Sequence, residues 1–92
     1  MTDVCKFKFH ESVNKETIEE QIALAIITAE CTFGQAKVRL NAAYLASNHK
    51  AVIDVSNQVG EHIAQVFIGL MTRKFGEDKF TIERIRKQDN EL

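Results

Sequence analysis

Proline is absent from this chain, and glycine occurs only four times in 92 residues. That favours short, regular connections between elements over long flexible loops. Cysteine is sparse. Cys5 and Cys31 have no CxxC spacing, which points to reduced thiols in a reducing, cytoplasmic setting rather than to a disulfide framework. Charge of one sign is lacking as well: a formal net charge of -1 supplies no overall field toward nucleic acid or an anionic membrane, so a charged partner would have to be met by a local patch. The opening MTDVCKFKFHES has no apolar core of the signal-peptide kind. Nor does any apolar run approach the ~18 to 20 residues that span a bilayer. The expectation is one cytoplasmic α+β domain over residues 1–86, without a membrane segment, followed by a polar tail at 87–92. A chain of this length can bury a little over ~60% of its unfolded surface, enough for one modest core.

What the chain does have is a strongly marked helix over 56–76, SNQVGEHIAQVFIGLMTRKFG. Asn57 is placed to cap the first amides, Glu61 suits the positive end, Arg73 and Lys74 suit the negative end, and Gly76 stands where a left-handed stop is cheap. At about 100° per residue, Val59, Ile63, Ala64, Val66, Phe67, Ile68, Leu70, Met71 and Phe75 form one apolar arc of roughly 200°. So wide an arc needs cover from a sheet and from a second element.

The rest of the chain supplies both. Residues 4–11 alternate, with Cys5, Phe7 and Phe9 opposed to Lys6, Lys8 and His10, as in a half-buried strand. Asn14 then caps a first helix, KETIEEQIALAIITAECTF, with Val13 and Ile18 placed as a hydrophobic staple and Gly34 as its stop. Residues 36–46 alternate again and predict a long second strand, with Lys37, Arg39 and Asn41 on its polar side. The turn residues SNHK at 47–50 predict a hairpin to a third strand at 51–55. After the second helix, 79–85 reads as a fourth strand with Phe80 and Ile82 turned to the core. The order βαββαβ predicts a ferredoxin-like plait: a four-stranded antiparallel sheet, strands one and three central, with both helices on one face.

That fold carries little functional weight of its own, so function has to be read from sites. The open sheet face should carry Lys6, Lys8, Lys37 and Arg39, a basic patch suited to nucleic acid. However, the aromatic platforms with which sheets stack single-stranded bases are missing from its central strands. His10 and Asp54, expected on adjacent central strands, are the nearest approach to an acid–base pair, without a glycine-rich anion loop or a positioned nucleophile beside them. The three histidines and two cysteines do not fall at the short paired spacings of zinc sites, and neither metal nor cofactor is expected. Cys31 lies near the negative end of the first helix, where a thiolate is disfavoured.

The informative oddities are apolar. Ile18, Ile22, Ala25, Ile26, Ala29 and Phe33 make the main stripe of the first helix, yet Leu24, Ile27 and Cys31 fall on the opposite side. Gly69 stands in the polar arc of the second helix, where it costs about 1 kcal/mol relative to alanine unless another backbone comes close. The sequence therefore reads first as a small homo-oligomeric interaction or regulatory module without catalytic activity, its interface including Leu24, Ile27, Cys31 and Gly69. A further protein partner fits the same reading. A nucleic-acid-binding protein using Lys6, Lys8, Lys37 and Arg39 is the second reading, and a small-molecule enzyme centred on His10 and Asp54 the third.

Overall fold

A computed structural model describes residues 2–87 of the chain. In order these form β1 (Thr2–Phe9), α1 (Lys15–Phe33), α2 (Gln35–Asn41), β2 (Tyr44–Ser47), β3 (Lys50–Asp54), α3 (Gln58–Phe75), a 3-10 turn (Glu77–Lys79) and β4 (Phe80–Lys87). The architecture is α+β, with a four-stranded antiparallel sheet in the order β2-β3-β1-β4, so β1 and β3 are central and β2 and β4 are edges. No described helix is long and apolar enough to cross a membrane. Beyond Lys87 the expected polar tail lies outside the described residues.

The start signals of both long helices operate as their sequences suggest. Asn14 accepts a hydrogen bond from the Thr17 amide at 2.9 Å, and Asn57 accepts one from the Gly60 amide at 2.9 Å. Gly34 ends α1 at φ 91° and ψ 150°, a conformation that side chains all but exclude, and so lets the chain turn sharply into the next element.

That next element corrects the sequence reading. Residues 36–46 do not form a long strand: Gln35–Asn41 is a helix, and the strand that follows spans only Tyr44–Ser47. The domain therefore has three helices, not two, and α2 packs against α1 and α3. Alternation over so short a window fits either period, and Gln, Ala, Lys, Arg and Leu are all good helix formers. Burial decides between them. Val38 is buried and Leu40 is 85% exposed, so the apolar side chains of this segment do not share a buried strand face.

The core lies between the sheet and the helices. Cys5, Phe7 and Phe9 of β1, with Ala51 and Ile53 of β3, meet Ile18, Ile22, Ala25 and Ala29 of α1 and Ile63, Ala64, Phe67 and Met71 of α3. Phe67 is the aromatic hinge of this packing. Its ring stands edge-on to Phe7 at 5.0 Å and to Phe9 at 6.0 Å, a geometry that aromatic quadrupoles favour. Every residue of the apolar arc expected for α3 is buried or half-buried. The molecule is thus a flat slab of two layers, 40 × 34 × 18 Å, whose sheet has one face against the helices and the other open.

Candidate interaction surfaces

The helix layer presents the first candidate surface. Because Ile18, Ile22, Ala25 and Ala29 face the sheet, the 100° step turns Ile27 almost directly away from it and Leu24 and Cys31 onto the flank. The contact of Phe33 with His62, rings perpendicular at 5.5 Å, marks the other flank as the one against α3. Leu24 is 48% and Ile27 54% exposed, and Cys31 is exposed beside them. Thr28 and Thr32 on the same helix donate to the carbonyls of Leu24 and Thr28, at 2.8 and 3.1 Å, which removes their hydroxyls as competing polar groups. Gly69 is exposed on the outward face of α3, where an added β-carbon would meet nothing within 4 Å. No neighbour in its own fold requires a glycine there.

The open face of the sheet is the second surface, and the strand register lays it out. Residues directly opposite one another share a face, and faces alternate along each strand. One row across the face is Ser47, Lys50, Lys8 and Thr81; the next is Leu45, Val52, Lys6 and Glu83; the third is Asp54, Val4 and Ile85. Leu45 stands out of this face, 74% exposed. Depressions of about 280 and 330 Å³ lie on either side of it, the first lined by Val4, Ala43, Val52 and Asp54, the second by Lys6, Lys50 and Val52. Lys8 lies directly opposite Lys50.

The residues singled out for chemistry are not brought together. The register sets Val4 opposite Asp54 and Lys8 opposite Lys50, so His10, past the end of β1, is at the other end of the sheet from Asp54. Six residues of strand separate the two levels, roughly 20 Å. His10 is engaged locally through Nδ1 with the Ser12 hydroxyl at 2.8 Å and the Ser12 amide at 3.0 Å. Asp54 Oδ1 accepts from the Ser56 amide at 2.9 Å and from its hydroxyl at 2.6 Å. The basic set is divided too. Lys6 and Lys8 lie on the open face, whereas Lys37 and Arg39 ride on α2, with Lys37 Nζ 5.2 Å from the centre of the Phe33 ring. Among the described residues, no three of His, Cys, Asp and Glu are grouped so as to hold a metal ion.

One polar cluster has no counterpart in the sequence reading. Cys5 lies opposite Arg84 and Asp3 opposite Arg86 on the helix side of the sheet. The Arg84 guanidinium reaches over the edge to Glu61 of α3 in a two-pronged contact, at 2.9 and 3.2 Å, and to Asp3 at 3.5 Å. Arg86 approaches Asp3 at 3.5 Å. The Glu61 hydrogen bond is the main reason the Arg84 pKa rises above its already high ordinary value. Burial pushes the Cys5 thiol up, with Arg84 pulling weakly the other way, so this thiol stays protonated and is a poor nucleophile. Beside the cluster, an open groove of about 870 Å³ runs past Arg84, Glu61, His62 and Asn57. Its one fixed cation is already engaged by a carboxylate. Positions 3, 61 and 84 share no spacing signal; the register of β1 with β4 brings Asp3 near Arg84, and the packing of α3 over the sheet brings Glu61 to them.

Set beside known proteins, the chain matches no family model, no curated relative and no solved structure.

Proposed function

We propose that this chain is a small cytoplasmic interaction module, built as a ferredoxin-like plait and without chemistry of its own, that works by assembling with further copies of itself. The contact is made by the outward side of α1. The observation that carries this reading is the half-exposure of Leu24 and Ile27 on one helical face, apolar surface that the molecule's own core leaves to solvent. The strand order β2-β3-β1-β4 supports the plait, and two free thiols, Cys5 and Cys31, support the reducing setting.

In a two-fold contact the same patch meets itself, so each side chain counts twice, and Glu20 and Glu30 form part of the polar rim. Completing the burial of Leu24 and Ile27 contributes on the order of 1 kcal/mol for each side chain, before the costs of association. Further area must then come from their neighbours on α1 and from the exposed face of α3 around Gly69.

The test is mass by light scattering after size exclusion. The wild-type chain should run above its monomer mass of 10.4 kDa. Ile27→Glu, which places two carboxylates in the contact, should lower that mass, and Gln65→Glu at another exposed position should leave it unchanged. A monomeric wild type at every accessible concentration removes the reading.

A further inference from the structure

We infer that the outer edge of β4 is a second self-association surface, where β4 of one copy pairs antiparallel with β4 of another about a two-fold axis at Ile82. This inference rests on the self-association reading above, but it uses a different part of the molecule. Three observations carry it.

The first is the free backbone of the edge. The His10 amide donates to the Lys79 carbonyl at 2.7 Å, while the Phe9 amide donates to His49 on the other side of β1. Hydrogen-bonded pairs alternate along an antiparallel ladder, so Thr81, Glu83 and Ile85 turn their backbone groups inward to β1, and Phe80, Ile82, Arg84 and Arg86 turn theirs outward. β4 spans eight residues, whereas the opposite edge, β2, spans four. A long edge with a regular row of free N–H and C=O groups is a template for another strand.

The second is charge. The chain enters β4 through Glu77 and Asp78 and runs toward its far end through Arg84 and Arg86. Neither acid is in an ion pair among the described residues. An antiparallel second copy brings the basic end of one strand to the acidic start of the other, whereas a parallel one would set like on like. The strand's own polarity therefore selects a second copy of itself, and the direction in which it lies.

The third is the register that these two features allow. Placing the axis at Glu83, Arg84 or Ile85 sets Glu83 on Glu83, Arg84 on Arg84, or Arg84 on Arg86, all pairs of like charge. Placing it at Thr81 leaves Arg84 outside the paired strands. At Ile82 the outward groups of Phe80, Ile82 and Arg84 all pair with the same residues of the second copy, and no like charges are opposed. Ile82 lies on the helix side of the sheet, opposite Phe7, yet is 43% exposed, so the helix layer does not cover it. On the axis it meets Ile82 of the second copy, Phe80 meets Arg84 in a ring-to-guanidinium contact, and Thr81 meets Glu83. An axis perpendicular to the sheet keeps the helices of both copies on one face, so the two sheets become one.

The experiment measures mass and amide hydrogen exchange in a background that removes the helix contact. Ile27→Glu alone should leave a two-chain species held by β4, in which the amides of Phe80, Ile82 and Arg84 exchange slowly. Adding Ile82→Lys, which sets two lysines against each other on the axis, should reduce it to one chain. The dissociation constant should weaken by about 100-fold or more, and the Phe80 and Arg84 amides should exchange faster by a similar factor. Thr81→Glu lies opposite Lys8 of its own sheet but meets Glu83 of the second copy, so it should weaken association by about tenfold. Thr81 and Ile82 are exposed, so circular dichroism should show these variants folded. A one-chain Ile27→Glu variant in an associating wild type overturns the β4 contact and leaves the α1 contact standing. A two-chain mass that survives Ile82→Lys, or unchanged association in Thr81→Glu, overturns the β4 contact as well. If Ile82→Lys alone reduces the wild type to one chain while Ile27→Glu does not, the β4 contact stands and the α1 contact falls.

Discussion

The first turn of α3 lies so close to the end of β3 that a β-carbon on Gly60 would overlap the backbone carbonyl oxygen of Asp54. The helix begins in contact with the strand that precedes it, and this contact fixes the angle at which α3 lies over the sheet. In the same turn the Asn57 side chain accepts from the Gly60 amide, and Glu61 lies within reach of Arg84.

Gly60→Ala should therefore destabilise the domain by about 1 to 3 kcal/mol, the usual cost of forcing an extra carbon into a packed site. Gly69→Ala is the contrasting case. An added methyl group there meets nothing within 4 Å, so the helix-propensity gain of up to about 1 kcal/mol should appear as increased stability. Urea midpoints of the two variants, shifting in opposite directions from wild type, are the expected result. A Gly60→Ala midpoint equal to wild type would show that α3 does not rest on Asp54.

Burial at Cys5 makes a second prediction, about pH. The thiol is 7% exposed and its pKa is raised chiefly by that burial. Because the folded chain holds this proton more firmly than the unfolded one, the stabilisation is complete below the ordinary thiol pKa of about 8.5. It is lost as pH rises through the folded-state value, so alkaline conditions should weaken the fold. Cys31 is exposed. At pH 8 a thiol reagent should therefore label Cys31 quickly and Cys5 slower by on the order of tenfold or more. Cys31→Ser should abolish the fast phase, and Arg84→Met, which takes away the charge beside Cys5, should leave the slow phase slow. Equal labelling rates would contradict the burial of Cys5 against Arg84.

The parts of the fold that were legible in the sequence are those fixed by local chemistry. The alternation of Cys5, Phe7 and Phe9 marks a strand because one face of β1 is wholly buried, and Asn57 and Gly76 mark a helix because they engage its own end groups. Residues 36–46 read as a strand because nothing local decides between helix and strand there; the decision comes from Val38 being buried in the core while Leu40 is left in solvent. The candidate site suffered in the same way. His10 and Asp54 are near neighbours only if the register of β1 against β3 is shifted, and that register is set by packing across more than 40 residues of chain. Arg84, Glu61 and Asp3 meet through the same kind of long-range pairing. Leu24 and Ile27, by contrast, were legible as outward-facing, because a 3.6-residue period turns them away from Ile18 and Ile22 whatever the rest of the chain does.

The two helix caps should respond differently to the same substitution. Asn14 Oδ1 accepts from the Thr17 amide at an exposed site, so Asn14→Asp keeps the cap, adds a charge at the favourable helix end and should be neutral or slightly stabilising. Asn57 does two things. Its Oδ1 accepts from the Gly60 amide at 2.9 Å, and its Nδ2 donates to the Asn41 carbonyl at 3.0 Å, closing the end of α2 against the start of α3. An aspartate at 57 retains the first bond but turns an oxygen toward a carbonyl oxygen, so a half-buried acceptor loses its donor. Asn57→Asp should accordingly cost about 1 to 2 kcal/mol where Asn14→Asp costs nothing. Asn57→Ala, which loses both bonds, should cost more than Asn14→Ala, itself worth about 1 kcal/mol. Hydrogen exchange separates the causes: amides of α2 should lose protection in Asn57→Asp while those of α1 keep theirs. Equal urea midpoints for the two aspartate variants, with α2 still protected, would mean that α2 is held by Val38 in the core and not by the side chain of Asn57.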